Sequence, residues 1–139
     1  AEVVSALQVA GLRGVDVRIL LPDNPDHLMV YLASFYYMKL TGAEGIRFYR
    51  YTEGFMHQKA FLIDDFGVGI GTANLDNRSF RLNFEITLLS VNYDLAAEVE
   101  AMFEQDFANS RQVSHREIDD RNVFFKLGAA GARLLSPVL

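Results

Sequence analysis

Apolar positions along the chain change their period several times, and each change predicts an element. Val3, Val4, Leu7, Ala10 and Gly11 recur at spacings of three and four, which predicts an amphipathic helix over residues 2–13 closed by Gly14. Val15 to Leu21 is rich in β-branched residues and alternates at its start, so a strand is expected there, halted by Pro22, Asp23, Asn24 and Pro25. Leu28 to Leu40 is apolar nearly all round, as a buried helix is, with Gly42 and Gly45 placed to end it. Ile46 to Tyr51 predicts a second strand. Lys59 to Asp64 and Val68 to Thr72 predict a hairpin joined through Asp65-Phe66-Gly67, and Phe84 to Val91 a further strand. From Asp94, read as an N-cap, Leu95, Val99, Met102, Phe103 and Phe107 keep helical spacing to about Asn109. Residues 111–126 mix charge with Val113, Ile118, Val123 and Phe124 and declare no period, and 127–139 is a small-residue helix candidate. There is no repeat and no low-complexity linker. The order predicts an α/β fold over residues 1–139, a mixed β-sheet flanked by helices and forming one domain.

Composition narrows the chemistry. The 139 residues are 50% apolar and 22% charged, which fits a globular domain and excludes a disordered tail. Without Cys there is no disulfide framework, thiolate metal site or Cys nucleophile, so catalysis must come from His, carboxylates, Lys or hydroxyls. The net charge of −5 is local: residues 98–120 hold seven acids against two bases, leaving 11 of each elsewhere. That balance lacks the basic stripe of a phosphate-tracking surface, so no nucleic acid is expected as a partner. The acidic run from Glu98 to Asp120 reads as a solvated face turned away from anionic lipid. The longest uncharged apolar stretch, Leu28 to Met38, has 11 residues, short of the ~20 that cross a bilayer, so this piece is expected to be soluble. It starts at Ala1 rather than Met, as a fragment of a longer protein does.

The informative segment is His57-Gln58-Lys59-Ala60-Phe61-Leu62-Ile63-Asp64, followed by Gly71-Thr72-Ala73-Asn74 and by Glu85. On an extended backbone His57 and Lys59 face the same side while Ala60 and Leu62 pack inward. A protonated Lys has no lone pair to share with His57 around a metal, so the pair suits an anion. Thr72 and Asn74, returned by the second hairpin strand, would add a hydroxyl and an amide donor, an assembly that fits a phosphate. An imidazole that attacks or protonates needs its other nitrogen held by an acceptor. Glu85 is that acceptor here, since an unpaired carboxylate in the apolar strand Phe84-Glu85-Ile86-Thr87-Leu88-Leu89 would be costly; an ion pair with Arg78 or Arg81 is the alternative. Asp64, five residues from Lys59, faces the other way and reads as a structural acceptor near the turn. His27 and His115 have no companions that suggest a role. Phe35-Tyr36-Tyr37 is read as core filling, and Tyr51, Phe55 and Met56 as either core or the wall of a pocket beside His57.

The spacing His-x-Lys, four residues, Asp, six residues, Gly-[Ser/Thr]-x-Asn, met at His57, Lys59, Asp64, Gly71, Thr72 and Asn74, resembles the motif of the phospholipase D superfamily. The surroundings, Arg13 to Leu20, Tyr51 to His57, Thr72 to Phe80, Asn83-Phe84-Glu85 and the closing Arg133 to Leu139, resemble bacterial cardiolipin synthases over essentially the whole chain. That resemblance implies a phospholipase D-type half domain, the C-terminal catalytic half of an enzyme that transfers a phosphatidyl group between two phosphatidylglycerol molecules. It gives cardiolipin and glycerol through a phosphohistidine, without metal or cofactor. Two motifs make one site in that family, so the partner implied is an N-terminal half carrying the second motif, or a second copy of this chain. It also implies an inner-membrane location for the full-length protein, which meets the membrane surface. The catalytic set it implies is His57, Lys59, Asp64 and Glu85, with His57 as general acid and base or else as nucleophile, and Lys59, Thr72 and Asn74 on the substrate phosphate. Thr72 stands where Ser is common and keeps the hydroxyl. The alternatives are a phosphodiesterase or nuclease completed by homodimerisation, and a non-catalytic binding module.

Overall fold

The structure, a computed structural model, describes residues 2–24, 35, 38, 41 and 45–114. Its elements are α1 (Glu2–Leu12), β1 (Arg18–Pro22), β2 (Arg47–Tyr51), β3 (Ala60–Ile63), β4 (Gly67–Gly71), α2 (Asn77–Arg81), β5 (Thr87–Val91), α3 (Tyr93–Ala108) and β6 (Ser110–Gln112). The strands form two three-stranded sheets, where the sequence predicted a single one. In the first, of order β1-β2-β6, β1 runs parallel to β2 and β6 antiparallel to it; in the second, of order β3-β4-β5, both pairings are antiparallel.

Residues paired across adjacent strands share a face, so the register sorts the first sheet into two sides. Ile19 pairs with Phe48, and their side meets Phe35, Met38, Ile46 and Val113, with Leu7 of α1, Val17 and Leu21 packed around them. Leu20 pairs with Tyr49, whose ring meets Phe107 of α3 edge-on at 4.8 Å. On that side Asp16 accepts hydrogen bonds from Arg18 and Arg47, and Arg18 reaches on to Glu104 of α3 at 3.0 Å. The Arg47 guanidinium first, then Arg18, holds the Asp16 carboxyl below its usual range.

The second sheet is covered on one side by the same helix. Val68 packs with Ala96 and Val99, and Leu62, Leu95, Met102 and Phe103 close around them. On the other side the register aligns Phe61 and Ile63 with Gly69 and Gly67, then with Leu89 and Val91. Those four apolar side chains are exposed. α3 packs against β2, β3, β4 and β6, so it ties the sheets together.

Several boundaries move. β1 starts at Arg18 and takes in Pro22, tolerated at the end of a strand. In the hairpin Gly67 pairs with Ile63, so the turn is Asp64-Asp65-Phe66, with Asp64 at φ 50°, a left-handed conformation that Asp accepts more readily than most residues. Residues 84–86 precede β5 rather than belonging to it. The N-cap of α3 is Asn92, whose side chain accepts from the Leu95 amide at 2.8 Å, and Asp94 lies in the first turn, where the helix dipole favours an acid. α2 and β6 were not anticipated; they have five and three residues, too short for a period. Within Leu28 to Leu40 only Phe35 and Met38 are described, both helical and buried, and the readings of 115–126 and 127–139 lie outside the described residues. No helix of the described residues is long and apolar enough to cross a membrane.

Candidate active site

The segment 52–59 connects β2 to β3 without regular structure and delivers His57 and Lys59 to the start of β3. The Gly71 amide donates to the Lys59 carbonyl at 2.9 Å, carrying the β3–β4 pairing one residue past the strand. Lys59 is thereby set beside the end of β4. A Cβ at Gly71 would collide with the Ile86 carbonyl oxygen and the Thr87 backbone, so this motif position needs glycine to let the entry to β5 pass close by.

That approach brings Thr72 to Glu85. The Thr72 amide donates to the Ile86 carbonyl at 3.0 Å, its hydroxyl oxygen accepts from the Ile86 amide at 3.0 Å, and the hydroxyl donates to Glu85 Oε2 at 2.5 Å. A hydroxyl has one hydrogen to give. In this arrangement the Thr72 hydroxyl hydrogen is directed to the Glu85 carboxylate. Asn83 Nδ2 donates to the other oxygen of Glu85 at 3.1 Å, and Arg78 Nε donates to Asn83 Oδ1 at 3.2 Å. The Thr72 hydroxyl first, then Asn83, with smaller contributions from Ser79 and the Lys59 charge, holds the Glu85 carboxyl below its ordinary range against a weak opposing effect of burial. Arg78 thus reaches Glu85 through Asn83, while Arg81 pairs with Glu2 of α1 at 3.3 Å.

The short helix α2 builds the remaining wall. Its N-cap Asp76 accepts from the Ser79 amide at 2.7 Å, and the buried Ser79 hydroxyl accepts from the Asn74 amide at 3.1 Å. The Asn74 side chain is left exposed, with no hydrogen bond to another described residue. The signal for this device was present in the sequence as Asp76 three residues before Ser79, a capping arrangement.

His57 is exposed, its ring stacked on Phe55 at 5.6 Å and 17°. Its carbonyl accepts from Lys59 Nζ at 2.8 Å. Among the described residues its imidazole makes no hydrogen bond, so the expected bond to Glu85 is not formed here, where the two carboxylate oxygens accept from Thr72 and Asn83. Asp64 lies past the far end of β3, about 16 Å along an extended chain from Lys59, and belongs to the turn. Phe35 lies in the core, as expected, and Phe55 forms a wall beside His57. The acidic face of α3 is not wholly solvated, because Glu104 receives Arg18 and Asp106 receives Gln58. Among the described residues no three His, Asp or Glu side chains gather as metal ligands. An imidazole, an ammonium, a free amide and an ionised carboxylate around one corner of a sheet are equipped to bind an anion and move a proton.

Residues 1–107 match the family model described as "Cardiolipin synthase, PLD-like domain". The chain belongs to that family. Among its relatives are the proteins named cardiolipin synthase A of Pseudomonas putida, 50% identical over 137 residues, and of Pseudomonas fluorescens, 53% identical over 137 residues. Each alignment covers 99% of this chain but only 28% and 29% of the respective relative, so this PLD-like domain spans under a third of their length. A solved structure of the phospholipase D family member Nuc from Salmonella typhimurium superposes with a TM-score of 0.70 at 22% identity, covering 81% of this chain and 73% of that one. The fold of the cardiolipin synthase-type domain is thus of the phospholipase D kind.

Proposed function

We propose that this chain is one catalytic half, the C-terminal one, of a longer phosphatidyltransferase of the inner membrane that makes cardiolipin and glycerol from two phosphatidylglycerol molecules. The observation that carries the reading is the meeting of Lys59, Thr72 and Glu85 where β3, β4 and the entry to β5 converge, next to His57. Lys59 and the Asn74 amide bind the phosphate. His57 is the general acid and base: it protonates the departing glycerol oxygen as the second histidine attacks phosphorus, then takes the proton from the incoming glycerol hydroxyl of the acceptor lipid as the phosphorus–nitrogen bond breaks. Glu85, held ionised by Thr72 and Asn83, supplies the fixed negative charge of the site. Asp64 has no part in the chemistry of this half.

The second histidine comes from the part of the longer enzyme outside this chain. Support comes from the share of the relatives' length that lies outside this chain and from the exposed apolar side of the second sheet, formed by Phe61, Ile63, Leu89 and Val91. The test is His57→Asn in the full-length enzyme. Turnover of phosphatidylglycerol should fall by about 10²–10⁴-fold with the thermal transition unmoved. Full turnover by the folded variant would contradict the reading and favour a binding module.

A further inference from the structure

We propose that Gln58 and Asp106 are positioning residues, through which the C-terminal end of α3 fixes the orientation of His57 and Lys59; this rests on the reading of His57 as the acid and base. The segment 52–58 belongs to no strand, yet α3 and its C-cap Asn109 pin it at two points. The Thr52 amide and hydroxyl both donate to the Asn109 carbonyl, at 3.1 and 2.9 Å, and Gln58 Nε2 donates to Asp106 Oδ2 at 2.6 Å. Gln58 lies between His57 and Lys59, so tying it down fixes the backbone from which both neighbours project. The bond is short, as one to a carboxylate is.

Asp106 supports the assignment independently. It sits in the last turn of α3, where the exposed carbonyls make an acid unfavourable and where no basic residue is present to offset it. A residue that violates a local preference needs a compensating role, and its partner here is the residue between the two site side chains. α3 is suited to the task because it is held to both sheets, through Ala96 and Val99 against Val68 and through Phe107 against Tyr49. The link is exposed, so it contributes little to stability and much to geometry.

The experiment compares Gln58→Ala, Asp106→Ala, Gln58→Glu and the exchange pair Gln58→Glu with Asp106→Asn, all in the full-length enzyme. Each alanine variant should lower kcat about tenfold or more, leave KM within about twofold, and the two together should cost no more than one alone. Gln58→Glu alone should be worse, because two carboxylates then face each other. Adding Asp106→Asn exchanges donor and acceptor and should restore kcat to within about threefold. The rate at which diethyl pyrocarbonate modifies His57, referred to His27 and His115 in the same molecules, should change in each single variant and return in the exchange pair. This rate reads the placement of His57 even in an enzyme that turns over no phosphatidylglycerol, so failure of the functional reading and failure of this inference are separable. Alanine variants with a shifted thermal transition but unchanged kcat and unchanged His57 modification would overturn it.

Discussion

The two three-stranded sheets share α3 but differ in what lies on their opposite sides. The β1-β2-β6 sheet is packed on both: Phe107 and the Arg18 ion pairs face α3, and Phe48 and Ile19 face a cluster that includes Phe35 and the fully enclosed Met38. The β3-β4-β5 sheet is packed on one. Beyond it lie Phe61, Ile63, Leu89 and Val91, the last two 70% and 81% exposed, and the lead-in to β5 carries Phe84 and Ile86, also exposed. The site residues all belong to this second sheet or its connections. One sheet is therefore packed on both sides, while the other carries the candidate site residues and leaves an apolar side exposed.

Substitutions should separate the two sheets. The largest effect on stability belongs to the first sheet: Met38→Ala should cost about 2–5 kcal/mol in denaturant unfolding, with activity per folded molecule preserved. Leu89→Ser, on the bare side, should shift the stability of the isolated chain by less than about 0.5 kcal/mol, yet reduce its self-association. Sedimentation at several concentrations reads the second part; a wild-type chain that stays monomeric throughout would remove the distinction between the sheets.

The smallest effect is a pH dependence at the site. The Glu85 carboxyl is held below its ordinary range by Thr72 and Asn83, so the unfolded chain takes up that proton first as the pH falls. The stabilisation is fully present above the ordinary glutamate range and disappears as the pH drops through the lowered value. The difference in melting temperature between wild type and Thr72→Val should accordingly be constant near neutrality and shrink in acid. A difference independent of pH would show that Thr72 supports the loop without acting on the charge of Glu85.

Much of the site was legible because its chemistry is local. His57 and Lys59 are two residues apart, and Gly71-Thr72-Ala73-Asn74 follows one hairpin later, so the β3–β4 pairing, extended by the Gly71–Lys59 hydrogen bond, sets Lys59 beside Gly71. The partner of Glu85 was not legible. Its choice of Thr72 and Asn83 over His57 or an arginine depends on how closely β5 passes the end of β4, a distance set by packing rather than by period. The Gln58–Asp106 link spans 48 residues and exists only because α3 crosses both sheets. α2 and β6 are too brief for any hydrophobic repeat, and α2 could have been found only from the Asp76–Ser79 cap. The helices α1 and α3 were legible from their period, α3 packing Ala96 and Val99 on the second sheet and α1 reaching the first core through Leu7.

The central claim, that this chain carries half of a phosphatidyl-transfer site, is tested most directly by complementation. Phosphatidylglycerol turnover should be followed with this chain alone and again with the remaining part of the longer enzyme supplied in trans, scoring cardiolipin and free glycerol in the presence of chelator. The account predicts both products only after complementation, and their loss when the chain carries His57→Asn. Equal turnover by the chain alone would contradict it and show that two copies build a complete site.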